Sequence, residues 1–140
     1  MARSDPFVET LARVPLFSAC SKRELQLVAK SAEQVNVPAG KVLVTEGAAG
    51  SEFFVIIDGQ ARVERHGRQV ATLGAGAFFG DLALLDRAPR NASVIAEAPM
   101  ELAKLSQRAF DELLAIPGFS KKLLAGLARR LRQEDAKTVG

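Results

Sequence analysis

The sequence predicts an α+β domain, with short antiparallel strands forming a sandwich or roll and helices at both ends. Three observations predict it. Glycines recur at positions 40, 47, 50, 59, 67, 74, 76 and 80, and short strand-like runs lie between them. Before residue 34 the apolar residues keep a helical spacing behind capping signals. After residue 106 helical spacing returns and ends in the stripe Leu123, Leu124, Leu127, Ala128 and Leu131.

The first helix is predicted over 5–13, with Asp5 as its cap and Pro6 at the first helical position, where a missing N–H costs nothing. Phe7, Val8 and Leu11 fall on one side of it. Pro15 ends it, and Leu16 and Phe17 read as a hydrophobic clip into the next helix. Ser21-Lys22-Arg23-Glu24 fits a capping box, in which serine and glutamate satisfy each other's backbone N–H. The helix it opens sets Leu25, Leu27, Val28 and Ala32 on a buried face and ends between Ser31 and Glu33.

Strands follow. Lys41–Thr45 is one, and Phe53–Ile57 is nearly all apolar, as expected of a strand covered on both faces. Gln60–Arg65 alternates as a half-exposed strand does, and Gln69–Leu73 is another. Asp58-Gly59 and His66-Gly67 predict hairpin turns between them. His66, the sole histidine, therefore belongs at a surface turn tip. Two more strands, Val94–Ala96 and Met100–Leu105, flank Ala98-Pro99. Ser106 caps a helix over Gln107–Ile116, on which Phe110, Leu113 and Leu114 share a face. Pro117-Gly118 breaks the chain before a last helix from about Phe119 to Arg132.

The chain of 140 residues suits one domain, and 48% hydrophobic with 25% charged residues is ordinary for a soluble globular protein. It lacks any apolar run long enough for a membrane span. The start MARSDPF is not a signal peptide, which makes a cytoplasmic location the expectation. A single cysteine, Cys20, excludes an intramolecular disulfide, and with no local partner it reads as a small core or edge residue. The net charge of +3 is concentrated in Lys121, Lys122, Arg129, Arg130 and Arg132, a pattern more often a solvated helix face than a nucleic-acid surface. No tryptophan or tyrosine is present to stack bases, so no nucleic-acid partner is expected.

The chemistry concentrates in 78–94, FFGDLALLDRAPRNASV. Gly80 lets backbone approach a ligand closely. A short helical run over Asp81–Leu85 points N–H groups at the same place, which suits an anion. A turn over Asp86–Pro89 delivers Arg90, whose planar fork matches two phosphate oxygens. Asp81 repels a phosphate but accepts hydrogen bonds from hydroxyls such as those of a ribose. A hydroxyl acceptor beside a phosphate clamp suggests a nucleotide. The hexapeptide GDLALL alone is better read as a plain amphipathic helix with an acidic first turn; Arg90, the small residues after it and the strand-rich setting reverse that preference.

Phe79-Gly80-Asp81-Leu82-Ala83-Leu84-Leu85 followed by Pro89-Arg90-Asn91-Ala92-Ser93-Val94 resembles the phosphate-binding cassette of cyclic nucleotide-binding domains. The turns Pro38-Ala39-Gly40, Glu46-Gly47, Asp58-Gly59 and Gly74-Ala75-Gly76 are similar to that family's in order and spacing, so the resemblance covers about residues 14–133. It implies an eight-stranded antiparallel, jelly-roll-like β-roll with N-terminal helices, a short cassette helix and two C-terminal helices. The implied organisation is a single domain over 1–140, with a helical part over 5–33, the roll over 34–106 and the C-terminal helices over 107–133.

The resemblance also implies roles. Asp81 would bind the ribose 2′-hydroxyl, Arg90 the phosphate, and Gly80, Leu82, Ala83 and Ala92 would offer backbone contacts, with Phe79, Asn91 and Ser93 beside them. Asp81 replaces the family's usual glutamate and is one methylene shorter, and Asn91 stands where alanine, serine or threonine is usual. Cyclic AMP is the expected ligand and cyclic GMP the second choice, since the Asn91 amide stands where a hydroxyl aids guanine recognition in some relatives. Arg129, Arg130 and Arg132 are the candidates to cover the base from the last helix, which in the family folds over the ligand or pairs with another subunit.

No Ser–His or Cys–His arrangement, metal-ligand cluster or pair of catalytic carboxylates is visible, so a sensor without catalytic residues, metal or cofactor is expected. Its partners would be the nucleotide, an effector protein or fused domain, and a second copy through the last helix. Other readings are a ligand-free interaction module that kept the fold, or a fragment of a channel, kinase subunit or transcription regulator. Only about seven residues follow the last helix as drawn here, too few for a helix-turn-helix.

Overall fold

The fold was obtained as a computed structural model that describes residues 6–80 and 89–139. Its N-terminal part holds α1 (Pro6–Ala12), a 3-10 turn (Pro15–Phe17) and α2 (Lys22–Ser31). The capping box forms as predicted: Glu24 N–H donates to Ser21 Oγ at 3.1 Å and Ser21 N–H to Glu24 Oε1 at 2.7 Å. Asp5, expected to cap α1, lies outside the described residues. On α2, Leu25 and Val28 are buried, but Leu27 is exposed. One helical turn brings positions 25 and 28 onto one face, and position 27 points elsewhere.

Among the described residues eight strands follow: β1 (Glu33–Val37), β2 (Val42–Val44), β3 (Glu52–Asp58), β4 (Ala61–Arg65), β5 (Arg68–Leu73), β6 (Phe78–Phe79), β7 (Ser93–Ala96) and β8 (Met100–Ser106). They form two antiparallel sheets, ordered β1-β8-β3-β6 and β2-β7-β4-β5, the double sheet of a jelly-roll-like β-roll. β1 was not apparent in the sequence, where its residues read as the end of α2 and the approach to the glycine-rich part. It is polar on three of five positions, Glu33, Gln34 and Asn36, because it lies at a sheet edge against β8.

One expected turn has a different role. His66-Gly67 closes a true two-residue hairpin, with Arg65 paired to Arg68 and φ of 55° and 77° at the tip. Asp58-Gly59 closes none, since β3 lies in one sheet and β4 in the other. It carries the chain between sheets. Gly59 (φ 102°) is required there because a Cβ would stand 2.7 Å from the Pro99 carbonyl oxygen.

β3 is covered on both faces, as its composition requires. Phe54 and Ile56 face Phe79, Ala61, Val94, Met100 and Leu102 between the sheets. Phe53 and Val55 face the helices. The Phe53 ring lies 4.9 Å from Phe110 and 5.8 Å from Phe78, centroid to centroid, and meets Phe119 edge-on at 6.5 Å. Phe53→Ala leaves a cavity where four rings meet and is expected to cost about 3–5 kcal/mol. Urea unfolding measures this, and an unchanged midpoint would contradict the packing.

The chain ends in α3 (Gln107–Leu114) and α4 (Pro117–Val139). Ser106 caps α3, accepting the Ala109 N–H at 3.2 Å. The break falls at 115–116 and not at Pro117-Gly118, because Pro117 occupies the first position of α4, where its fixed φ and absent N–H fit. Gly118 then packs against the 3-10 turn's exit, and a Cβ would lie 2.8 Å from the Ala19 carbonyl oxygen. Of the predicted α4 stripe, Leu123 is buried and Leu127 borders the core, while Leu124, Ala128 and Leu131 are exposed. The roll covers less of the helix than its apolar residues span.

Candidate functional site

β6 ends at Phe79, and Gly80 turns the chain with φ 90°. Arg90 lies across from that turn and is the one buried charged residue among those described, 8% exposed. Its Nη1 donates to the Gly80 carbonyl at 2.9 Å and its Nη2 to the Glu52 carbonyl at 2.9 Å. Two carbonyls, one from the turn after β6 and one from the start of β3, thus hold the guanidinium plane at the start of the 78–94 segment. A buried cation is costly unless hydrogen-bonded, so this placement marks a site where a cation is wanted.

The loop over 45–51 builds the wall behind Arg90. Gly47 N–H donates to the Arg90 carbonyl and Arg90 N–H to the Ala48 carbonyl, both at 2.8 Å. Gly50 lies directly against the guanidinium, and a Cβ there would overlap its Nε and Cζ. A depression of about 210 Å³ opens beside Arg90, bordered by Thr45, Ala48, Ser51 and Glu52. A second, of about 240 Å³, bordered by Thr10, Arg13, Pro15, Ile57 and Gly76, shares no residue with it and has no buried polar group at its walls.

Beyond Arg90 the segment meets the tip of the β4–β5 hairpin. Asn91 is exposed, and its carbonyl accepts from Arg65 Nε at 3.1 Å. Ala92 is buried at 7% exposed. Ser93 Oγ accepts the Glu46 N–H at 2.9 Å. The Glu46 carboxylate in turn accepts the His66 N–H at 2.9 Å and lies 3.3 Å from His66 Nδ1.

On the other side, α4 crosses the root of the segment. Arg130 sets its Cζ 4.4 Å from the Phe78 ring centroid and donates to the Phe78 carbonyl. Gly126 lies on the same ring, with room for no Cβ, which would stand 2.8 Å from it. Arg129 and Arg132 are exposed. Of the three arginines expected to cover the base, Arg130 is therefore the one packed at the segment's root.

The structure sets Arg90 against Gly80, with buried Ala92 and then Ser93 following toward β7 and Asn91 at the rim, while Phe79 packs between the sheets on Phe54. Asp81, Leu82 and Ala83, with the short helix and turn predicted over 81–88, lie outside the described residues. Sequence reasoning missed Glu52, Gly50, Glu46 and Arg65. Two of these act through backbone, a role no residue type signals. Gly50 was noticed only as one glycine in a series, and Arg65 as one polar residue of a half-exposed strand.

Two titratable groups lie away from this segment. Burial pushes the Cys20 thiol up, with Glu24 adding to the shift, which disfavours the thiolate. Lys104 is raised by its hydrogen bond to Glu52, with Glu33 on its other side, at 3.1 and 3.3 Å. Among the described residues no three His, Cys, Asp or Glu side chains are grouped to hold a metal ion, and no helix is long and apolar enough to cross a membrane.

Comparison with known proteins agrees with this geometry. A cAMP-dependent protein kinase regulatory subunit from Hypocrea atroviridis is 34% identical over 137 residues, covering 98% of this chain and 28% of that protein. The chain spans 24–32% of the length of the kinase regulatory subunits it matches. Among solved structures, the catabolite activator protein of Thermus thermophilus superposes with a TM-score of 0.78 at 32% identity, over 89% of this chain and 61% of that one. The regulatory domain of Toxoplasma gondii PKA, crystallised with cAMP, gives 0.76 at 26% identity, over 89% and 49% of the two chains. The cyclic nucleotide-binding domain model matches residues 34–116, more than half of the chain, and with Arg90 and every described strand residue but Glu33 inside that match, the chain belongs to the cyclic nucleotide-binding domain family.

Proposed function

We propose that this chain is a non-catalytic sensor module for a 3′,5′-cyclic nucleotide, with cAMP preferred to cGMP. The observation that carries the reading is Arg90, a buried guanidinium fixed by the Gly80 and Glu52 carbonyls at the mouth of a glycine turn. A phosphate is the ligand chemistry that suits such a fork. Support for cAMP comes from the regulatory subunits and the cAMP-bound structure to which the chain is similar. In this reading Arg90 takes the phosphate with backbone N–H groups of Gly80, Leu82, Ala83 and Ala92, Asp81 takes the ribose hydroxyl, and Phe79, Asn91 and Ser93 complete the wall. Arg130 reaches the base from α4.

The output is a movement of α4 about the break at 115–116, limited in size by how much more tightly the ligand binds the closed arrangement. Its receiver is an effector protein or fused domain, and the exposed Leu124 and Leu131 give α4 a face for that receiver or for a second copy.

Isothermal titration of nucleotide-free protein with cAMP and cGMP tests this. The expected result is saturable one-to-one binding, tighter for cAMP. Tighter binding of cGMP would shift the assignment to the Asn91 amide, and binding of neither would leave a ligand-free interaction module on the same fold.

A further inference from the structure

We propose that Arg65, at the end of β4, is a positioning residue that aims the Ala92 N–H at the nucleotide phosphate by holding the Asn91 carbonyl; this rests on the cyclic-nucleotide reading above. Asn91 and Ala92 lie between Arg90 and the first ladder residue of β7, Ser93. No strand pairing fixes the peptide that joins them. Arg65 Nε fixes it instead, donating to the Asn91 oxygen at 3.1 Å.

A peptide unit is planar and trans, so its N–H points opposite to its C=O. None of the described peptide bonds is cis. Holding the Asn91 oxygen toward Arg65 therefore turns the Ala92 N–H to the opposite side of the segment. That N–H makes no hydrogen bond among the described residues, although Ala92 is only 7% exposed. A buried N–H normally has a partner. An oriented backbone donor two residues from the Arg90 guanidinium is the arrangement that receives an anion. A cationic donor on the carbonyl also polarises the amide and strengthens the N–H.

The hairpin tip is itself anchored, which makes Arg65 a firm support. His66 N–H and Nδ1 face the Glu46 carboxylate at 2.9 and 3.3 Å, and Glu46 N–H donates to Ser93 Oγ at 2.9 Å. Asn91 and Ser93 are thus tied at either side of Ala92 to one hairpin, directly through Arg65 and indirectly through Glu46.

The test is titration of the nucleotide-free chain and two variants with cAMP and with its two diastereomeric exocyclic phosphorothioates. Arg65→Met removes the donor and keeps an unbranched side chain as far as the position of Nε. Arg65→Gln places an amide nitrogen the same number of bonds from Cα as Nε, which keeps a donor without the charge. Arg65→Met is expected to weaken cAMP binding about threefold to tenfold. Arg65→Gln recovers most of that loss. The Arg65→Met deficit also shrinks for one diastereomer, the one whose sulfur faces the Ala92 N–H, because sulfur is the poorer acceptor.

Equal losses in both variants that disappear in high salt would mean Arg65 acts only through its charge, and the positioning role falls. Equal deficits for both diastereomers would reduce Arg65 to general support of the hairpin and overturn it as well. Wild type that binds while Arg65→Met binds equally well sinks the positioning role alone. Wild type that binds none of the three ligands sinks the cyclic-nucleotide reading with it.

Discussion

Replacing Arg90 by alanine weakens cyclic-nucleotide binding by about 10- to 150-fold, the equivalent of the roughly 1.5–3 kcal/mol carried by a hydrogen bond to a charged group. The same change releases the Gly80 and Glu52 carbonyls, which the guanidinium spans at 2.9 Å each. Their loss of a shared donor lowers stability by about 1–3 kcal/mol. Arg90→Lys separates the two effects. An ammonium keeps the charge but lacks the planar fork that reaches two carbonyls at once, so binding falls less than in the alanine variant while the segment still loosens. Calorimetric titration, with circular dichroism confirming the fold, gives both quantities. An alanine variant that binds cAMP as tightly as wild type removes Arg90 from the site.

Gly80→Ala should be the most damaging small substitution in the segment. The backbone there has φ 90°, which a residue with a side chain adopts at a cost of about 1–3 kcal/mol. The added Cβ would stand 2.6 Å from the Glu52 carbonyl oxygen and 2.8 Å from Arg90 Nη1. Neither obstacle yields cheaply, because one is strand backbone and the other a buried, hydrogen-bonded guanidinium. Overpacking of this kind adds a similar amount, so the total is about 2–6 kcal/mol. Gly67→Ala is the control, with φ 77° at the hairpin tip but nothing within 4 Å of its Cβ. It carries the conformational cost alone. If urea unfolding finds the two alanine variants equally stable, the contact between the turn and Arg90 contributes nothing.

Much of this molecule was legible before its structure. The glycine-punctuated runs located six of the eight described strands, all but β1 and the two-residue β6, the 53–57 run announced a strand buried on both faces, and the capping box at Ser21 placed α2. These signals are local, and local signals survive into the fold. What escaped was set by partners distant in sequence. β1 is a strand because β8, from Met100 to Ser106, lies beside it; its own residues EQVNV are unpersuasive. Asp58-Gly59 looks like any hairpin turn, and only the sheet order distinguishes a passage between layers from a hairpin within one. Leu124 and Leu131 belong to an apolar stripe that the roll is too narrow to cover.

The candidate site divides in the same way. Arg90 and Gly80 could be named from the chain, since fork and turn are properties of the residue types. The Glu52 carbonyl, the Gly50 contact and the Arg65 hydrogen bond are properties of the assembled sheets, and no pattern along the chain encodes them.

The order of strands carries a consequence for synthesis. Among the described residues, β1 pairs only with β8, and β2 only with β7. A chain emerging from its N-terminus must hold both early strands without partners until most of the domain has left the ribosome. Contacts this remote in sequence form slowly. Until Met100–Ser106 arrives, β3 lacks its long neighbour, and its run Phe53–Ile57 stays available to any other strand that passes. The segment with Arg90 comes off the ribosome just before the strands that complete the roll. A nascent chain stalled inside that segment is therefore at its most adhesive point, and chaperone capture should be strongest there and fall once residue 106 is free to pair.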